Sequence, residues 1–472
     1  MKPLAKHVEH AATEEKPACA TKSRRLSRRR FIRGAAVASA AFAVVPRHVL
    51  GGPGETPPSE KPNVAGVGVG GVGHGQLAAC EKAGFNIVAL CDVDSAYAKR
   101  TYDKWPQART YRDYREMLEA EGDKIDAVYV GTPDHTHAII TVAALRRKKH
   151  VCCVKPLTHT VRESRVVADA AREARVATQV TASPNSTEPG CRTCELIWAG
   201  AIGLVRDVHI WSNRPLWPQG MTRPEGEDAI PETLDWDLWI GPAPMRPFKA
   251  EWPPEHLAVQ QVGARRAAVY HPWNFRGWWD FGTGALGDMG CHHLNIPKRA
   301  LKLAHPSSVH ATSTRLMPET APLASIVTYD FPARQDMPPV RITWYDGGLK
   351  PPQPPELTEP LPAEGVLYMG DEGKMLGARI LDPARAAKFE STPKTLERRT
   401  GTWAEWFEAC KGGQPAGCSF DWAAPLTELV LLGNVAIRTR KRLEWDGENM
   451  KFTNDEGANT YLQEPYRDGW AL

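Results

Sequence analysis

Three glycines at fixed spacing are the first residues in this chain that could do chemistry. Gly68-Val-Gly70-Gly-Val-Gly73 grows out of the apolar run Val64 to Val69 and precedes a helical stretch, His74 to Ala83. In that setting Gly68 permits a tight turn, Gly70 lets a pyrophosphate approach the backbone, and Gly73 lets the helix pack on the strand. The free N–H groups and positive dipole of the helix start then face the phosphates. Asp92 follows Gly73 by 19 residues, at the end of the apolar run Asn86 to Cys91. A carboxylate at that spacing accepts hydrogen bonds from ribose hydroxyls and repels a 2′-phosphate, which favours NAD over NADP.

A parallel sheet is needed to hold these residues together. Asn86 to Cys91 reads as a second strand, Ile125 to Val130 as a third and His150 to Val154 as a fourth, with helical runs over Tyr114 to Glu121 and Ala138 to Lys148. The third strand ends in Gly131-Thr132-Pro133-Asp134-His135-Thr136-His137 and the fourth in Lys155-Pro156. Ligands of such sheets bind beyond the carboxyl ends of the strands. Gly68, Gly70, Gly73, Asp92, Thr132, Pro133, His135, His137 and Lys155 therefore gather at one edge as the expected cofactor site of a Rossmann domain over 63–183.

The 472 residues exceed what one ordinary core needs, and suit two domains. The net charge of +4 is misleading, because residues 1–50 carry eleven Lys/Arg against three Glu, leaving the remainder mildly acidic. Nothing in that remainder suggests a nucleic-acid face. Ser27-Arg28-Arg29-Arg30-Phe31-Ile32-Arg33 is followed by a short run of small apolar residues and small-x-small sites, the pattern of an export signal of the twin-arginine type. Residues 1–50 are thus expected to engage the twin-arginine machinery and send the protein to the periplasm or otherwise outside the cytoplasm. Residues 51–62 read as a linker. The pair Cys191/Cys194 lacks a second pair at zinc-site spacing, so no metal is expected.

Two further segments, Val154-Lys155-Pro156 with Leu157-Thr-His-Thr160, and Gly287-Asp288-Met-Gly-Cys-His292, carry a resemblance. Over 61–472 the sequence resembles the glucose–fructose oxidoreductase / inositol dehydrogenase / rhizopine-catabolism (Gfo/Idh/MocA) family. The resemblance implies that Lys155 is the catalytic lysine, in a Lys-Pro bond that the family pattern makes cis, and that His292 of the Asp-x-x-x-His signature is the proton acceptor. Val154 stands where the family has glutamate, and Asn295 where relatives often have aspartate. At i, i+4 on a helix Asp288 shares a face with His292, which is expected to favour the protonated imidazole. The resemblance also implies an α/β chain whose residues 184–472 form a C-terminal α+β domain for substrate binding and oligomerisation, with an open, mostly antiparallel sheet. Alternating runs Val205 to Trp211, Ser325 to Phe331 and Val340 to Tyr345 suit its strands. A homo-oligomer is expected.

Nine of the 16 Trp fall between Trp211 and Trp344. Indole rings pack against the C–H faces of sugars, and the cluster Trp273, Arg276, Trp278 and Asp280, just before Asp288, is the expected substrate contact. The chemistry implied is hydride transfer between a nicotinamide and a hydroxyl carbon of a sugar, cyclitol or other polyol, with His292 taking the hydroxyl proton and Lys155 supporting the alkoxide. Two alternatives stand beside it: redox-neutral NAD-dependent glycoside cleavage through a keto-sugar, and a catalytically inactive binding protein of the same fold.

Overall fold

The computed structural model describes residues 61–182, 184–262 and 267–472, with backbone only at 261 and 262. The expected export signal and nearly all of the linker lie outside the described residues.

Six parallel strands open the fold: β1 (Asn63–Val67), β2 (Asn86–Cys91), β3 (Arg109–Tyr111), β4 (Ala127–Val130), β5 (His150–Cys153) and β6 (Thr178–Val180), in the order β3-β2-β1-β4-β5-β6. Every residue of β4 is buried, as expected of a parallel strand covered on both faces. The helices between strands are α1 (Val72–Ala83), α2 (Ser95–Lys104), α3 (Tyr114–Ala120), α4 (His137–Arg146) and α5 (Val161–Ala174). Side chains cap some of the starts. Asp94 caps α2 by accepting from Ala96 and Tyr97 N–H, and a Thr160/Glu163 capping box starts α5. Strand order reverses between β1 and β4, the switch point at which such sheets bind ligands.

The second domain is a nine-stranded sheet in the order β13-β12-β11-β7-β10-β9-β8-β14-β15, from β7 (Val205–Trp211), β8 (Ser308–Ser313), β9 (Ser325–Phe331), β10 (Val340–Tyr345), β11 (Gly365–Gly370), β12 (Lys374–Leu376), β13 (Arg379–Ile380), β14 (Leu443–Asp446) and β15 (Lys451–Phe452). Only the β7–β10 pair is parallel. Helix Gly284–His293 and the long helix Phe420–Thr439 pack together against this sheet, and the latter also meets α5. They place the Asp288/His292 signature at the edge of the Rossmann sheet.

Residues 212–283, between β7 and helix Gly284–His293, have an aromatic core of their own that includes Trp236, Trp239, Trp252, Tyr270, Trp278 and Phe281. This insertion docks on the Rossmann edge, with Ser95 N–H donating to Thr233 O (3.0 Å) and Asp235 N–H to Val93 O (2.9 Å). It roofs the cleft above β1, β2 and β4.

Candidate active site

One cleft runs along the carboxyl edge of the parallel sheet. Gly68, Gly70, Asp92, Thr132, Pro133 and Asp134 line it, with Lys155 and His292 at the β5 end and Trp239, His271, Trp273 and Arg276 contributed by the insertion.

The glycine loop has separate reasons for its three glycines. Gly68 sits at φ 73°, and a Cβ there would come 2.5 Å from the Thr132 backbone nitrogen. Only glycine fits. A Cβ on Gly73 would come 2.3 Å from Gly68 O, so this glycine does allow α1 to close on the strand. Gly70 lines the cleft and has a second neighbour. The atom nearest to its missing Cβ is Cδ1 of Tyr97, at 2.2 Å, so the first thing this glycine accommodates is a tyrosine ring resting on the loop.

Asp92 also does more than the spacing suggests. Its Oδ2 accepts from Val69 and Gly70 N–H, both at 2.9 Å, and its Oδ1 accepts from Asp94 N–H at 3.0 Å. The carboxylate clamps the loop while lining the cleft beside it. Capping of α2 falls to Asp94, which also pairs with His271 Nε2 at 3.1 Å.

The histidines of the Thr-Pro segment stand behind the cleft wall, and this corrects the expectation that they touch a cofactor. His135 Nδ1 lies 3.3 Å from Phe281 O and Nε2 lies 3.1 Å from Trp239 O; burial takes its pKa down to about 3. His137 is fully buried, with Nδ1 2.7 Å from Pro156 O and Nε2 2.8 Å from Thr132 O. A carbonyl only accepts, so both ring nitrogens must donate, which requires the imidazolium. Burial works against that charge, but Cys153, Asp134 and the Pro156 carbonyl outweigh it and raise the pKa to about 9. His137 thus ties the Thr132 loop to the Lys155–Pro156 turn, whose peptide bond is cis.

At the β5 end, Lys155 Nζ donates to Asp288 Oδ1 and to Asp288 main-chain O, both at 2.5 Å. Arg276 Nε donates to the same Oδ1 at 3.1 Å, and Arg214 Nε stands 3.6 Å from Oδ2. Burial would raise the Asp288 pKa, but Lys155 and Arg276 hold it well below the usual carboxylate range. Asp288 is therefore the anchor of Lys155. The expected protonation of His292 by Asp288 is overturned: burial is the largest influence, Lys155 adds to it, and together they override Asp288 and take His292 down to about 3. The imidazole is neutral at physiological pH and can accept a proton.

Of the four expected substrate contacts, two reach the cleft. Arg276 and Trp273 line it, with the guanidinium 4.2 Å from the Trp273 ring centre. Trp273 also has φ 76°, a constrained conformation for a bulky residue. Trp278 is 1% exposed in the insertion's core and donates its indole N–H to Val269 O at 2.8 Å. Asp280 pairs with Arg246 and does not line the cleft. Both turn away because the insertion needs its own core and ion pairs.

Residues that the motifs did not reveal complete the site. Arg214, beyond the end of β7, bridges Asp288 and Glu364, with Nη1 2.8 Å from Glu364 Oε1, and His293 Nε2 lies 3.6 Å from the other Glu364 oxygen. Asp134 accepts from Thr283 Oγ1 at 2.7 Å and joins the Rossmann edge to the residue that precedes helix Gly284–His293. Val154, beside Lys155, lines the cleft as well. The residues fit a dinucleotide: a glycine turn that no Cβ can enter, and an acid at the end of β2 in the same cleft.

Comparison with known proteins agrees with this geometry. A family model described as an oxidoreductase family with NAD-binding Rossmann fold matches residues 62–182, and its companion C-terminal alpha/beta domain matches 215–313. Inositol 2-dehydrogenase of Salmonella typhimurium is 31% identical over 111 residues, which are 23% of this chain and 32% of the relative. Levoglucosan dehydrogenase of Pseudarthrobacter phenanthrenivorans is 32% identical over 111 residues, 22% of this chain and 28% of the relative. The chain thus spans about a third of the length of the curated relatives it matches. In fold, it resembles the WlbA dehydrogenase of Bordetella pertussis, solved with NADH and UDP-GlcNAcA (TM-score 0.56, 15% identity, 82% of this chain and 99% of that one). GenD2, from gentamicin A biosynthesis and solved with NAD, gives a TM-score of 0.53 at 18% identity, covering 82% and 97%. Residues 62–182 and 215–313 of the chain thus match the two domain models of the Gfo/Idh/MocA oxidoreductase family.

Proposed function

We propose that this protein is an NAD-dependent oxidoreductase acting on a hydroxyl carbon of a sugar or cyclitol. One observation carries the reading: Lys155, anchored by Asp288, and a neutral His292 stand at one end of the cleft that the glycine loop and Asp92 also line. Bound NAD supplies a hydride acceptor. His292 takes the hydroxyl proton as the carbinol C–H bond breaks and the C=O bond forms. Lys155 has three N–H bonds, of which two go to Asp288, and the third is left for the substrate oxygen. Arg276 and Trp273 give the substrate one polar and one apolar surface. The matched relatives named as inositol and levoglucosan dehydrogenases support this substrate class.

Residues 1–50 support export by the twin-arginine route, and on that ground we propose that the protein works in the periplasm or otherwise outside the cytoplasm. Redox-neutral glycoside cleavage would begin with the same proton and hydride transfer. The test is a panel of inositols, aldoses and aryl glycosides incubated with purified protein and NAD. Net NADH absorbance with a free sugar or cyclitol supports the dehydrogenase. Release of the aryl group without net NADH supports the cleavage reaction. Lys155→Ala and His292→Ala are expected to stop either reaction while NADH still binds; full activity in either variant removes that residue from the mechanism.

A further inference from the structure

The cleft extends past Asp92 to residues just after β3, where Arg112, Asp113 and Tyr114 line it together with Trp470. Trp470 lies 356 positions after Tyr114 in sequence, so the segment 463–472 has been brought back onto the Rossmann sheet. A dinucleotide laid across this edge has its pyrophosphate at the glycine loop and its adenosine ribose at the acid ending β2. Its adenine then falls on the β3 side and its nicotinamide on the side of Lys155 and His292.

We infer that Trp470 is an adenine-binding residue, a stacking surface that the segment 463–472 delivers to the cofactor cleft. This rests on the dinucleotide reading above. The segment is held in place independently of any ligand. Tyr466 Oη donates to Glu163 Oε1 at 2.5 Å. Arg467 is fixed four ways, with N–H to Pro242 O at 2.9 Å, Nε to Gly241 O at 3.1 Å, Nη1 to Asp237 Oδ1 at 2.6 Å and Nη2 to Asp237 O at 3.1 Å. Trp470 N–H then donates to Arg467 O at 3.1 Å, closing a turn that presents the indole. The Arg115 guanidinium lies 4.7 Å from the ring centre, and the ring remains only partly buried. A fixed, half-exposed indole at the cleft wall suits a flat base. The same anchors join α5, the insertion and the Rossmann edge, so the segment also secures the roof over the cleft.

The test uses the full protein and calorimetric titration with NADH, 5′-AMP and nicotinamide mononucleotide. Trp470→Ala is expected to weaken NADH and 5′-AMP by about tenfold, the scale of a lost base-on-aromatic stack, and to leave nicotinamide mononucleotide unchanged. Trp470→Phe should retain most of the affinity. Unchanged NADH and 5′-AMP binding in Trp470→Ala overturns the assignment. So does equal weakening of all three ligands with a lowered melting temperature, which makes the residue a packing element only. If the unaltered protein fails to bind NADH, the dinucleotide reading fails first, and the inference fails with it.

Discussion

His137 makes a prediction that joins its geometry to its raised pKa. Its two ring nitrogens meet two carbonyl oxygens, at 2.7 and 2.8 Å, inside a fully buried pocket. A neutral imidazole donates once, so deprotonation leaves one of these carbonyls facing a lone pair. Against burial, Cys153 first and then Asp134 and the Pro156 carbonyl raise the His137 pKa from 6.5 to about 9. Because the folded-state value lies above the unfolded one, the stabilisation is fully present below pH 6.5 and disappears as pH rises through 9. At about 1.4 kcal/mol per unit, its size is about 3 kcal/mol. His137→Gln donates from a single nitrogen, cannot titrate and leaves the second carbonyl unpaired. Urea denaturation of both proteins should show the wild-type advantage falling by about 3 kcal/mol between pH 6 and pH 10, with other titrations cancelling in the difference. A wild-type advantage that stays constant over that range would refute the imidazolium. The catalytic consequence is separate: with the Thr132 loop released from the Lys155–Pro156 turn, turnover should fall at every pH, even where stability is ample.

Three further outcomes follow from the site. The neutral His292 predicts that kcat/KM shows no acid limb near 6.5, because the base form persists until pH falls toward about 3; a limb at 6.5 would show an unperturbed imidazole. Gly68→Ala should abolish NADH binding in a calorimetric titration, since a Cβ at φ 73° meets the Thr132 backbone nitrogen at 2.5 Å; retained affinity would mean that the loop can shift at little cost. Arg276→Ala should raise KM or lower turnover about tenfold or more, whereas Trp278→Ala should cost about 3–5 kcal/mol of stability as a core deletion without a specific effect on substrate binding. A change in substrate selectivity in Trp278→Ala at unchanged stability would return that residue to the site.

Much of the fold was legible because strong periodic patterns have a single physical meaning. Asn86–Cys91, Val205–Trp211, Ser325–Phe331 and Val340–Tyr345 are strands residue for residue where the apolar or alternating runs lie. The three-residue strands Arg109–Tyr111 and Thr178–Val180 were not, since so short a run carries no period. The 212–283 insertion is the larger omission. Its tryptophans are as apolar as a sugar platform would be, and composition does not say which rings turn inward. The structure turns Trp236, Trp239, Trp252 and Trp278 into one apolar core, where Trp236 and Trp278 also give their indole N–H groups to the backbone carbonyls of Arg246 and Val269.

The site shows why spacing misassigns partners even when it finds the right residues. On a helix, positions 288 and 292 share a face, and that proximity suggested a carboxylate serving a histidine. Lys155 is 133 residues away in sequence, yet its ammonium lies 2.5 Å from Asp288 and Arg276 lies 3.1 Å from the same oxygen. The two cations hold the Asp288 carboxylate, while burial and Lys155 outweigh its pull on the His292 imidazole. The arrangement separates two tasks. Asp288 keeps Lys155 aimed, so that its remaining N–H can support an alkoxide. The same lysine keeps the neighbouring histidine neutral, which lets it accept the proton that creates that alkoxide. Asp288→Asn should therefore damage both at once: Lys155 loses its anchor, and the acid limb of His292 moves further down rather than up, because a carboxylate that was raising its pKa has gone.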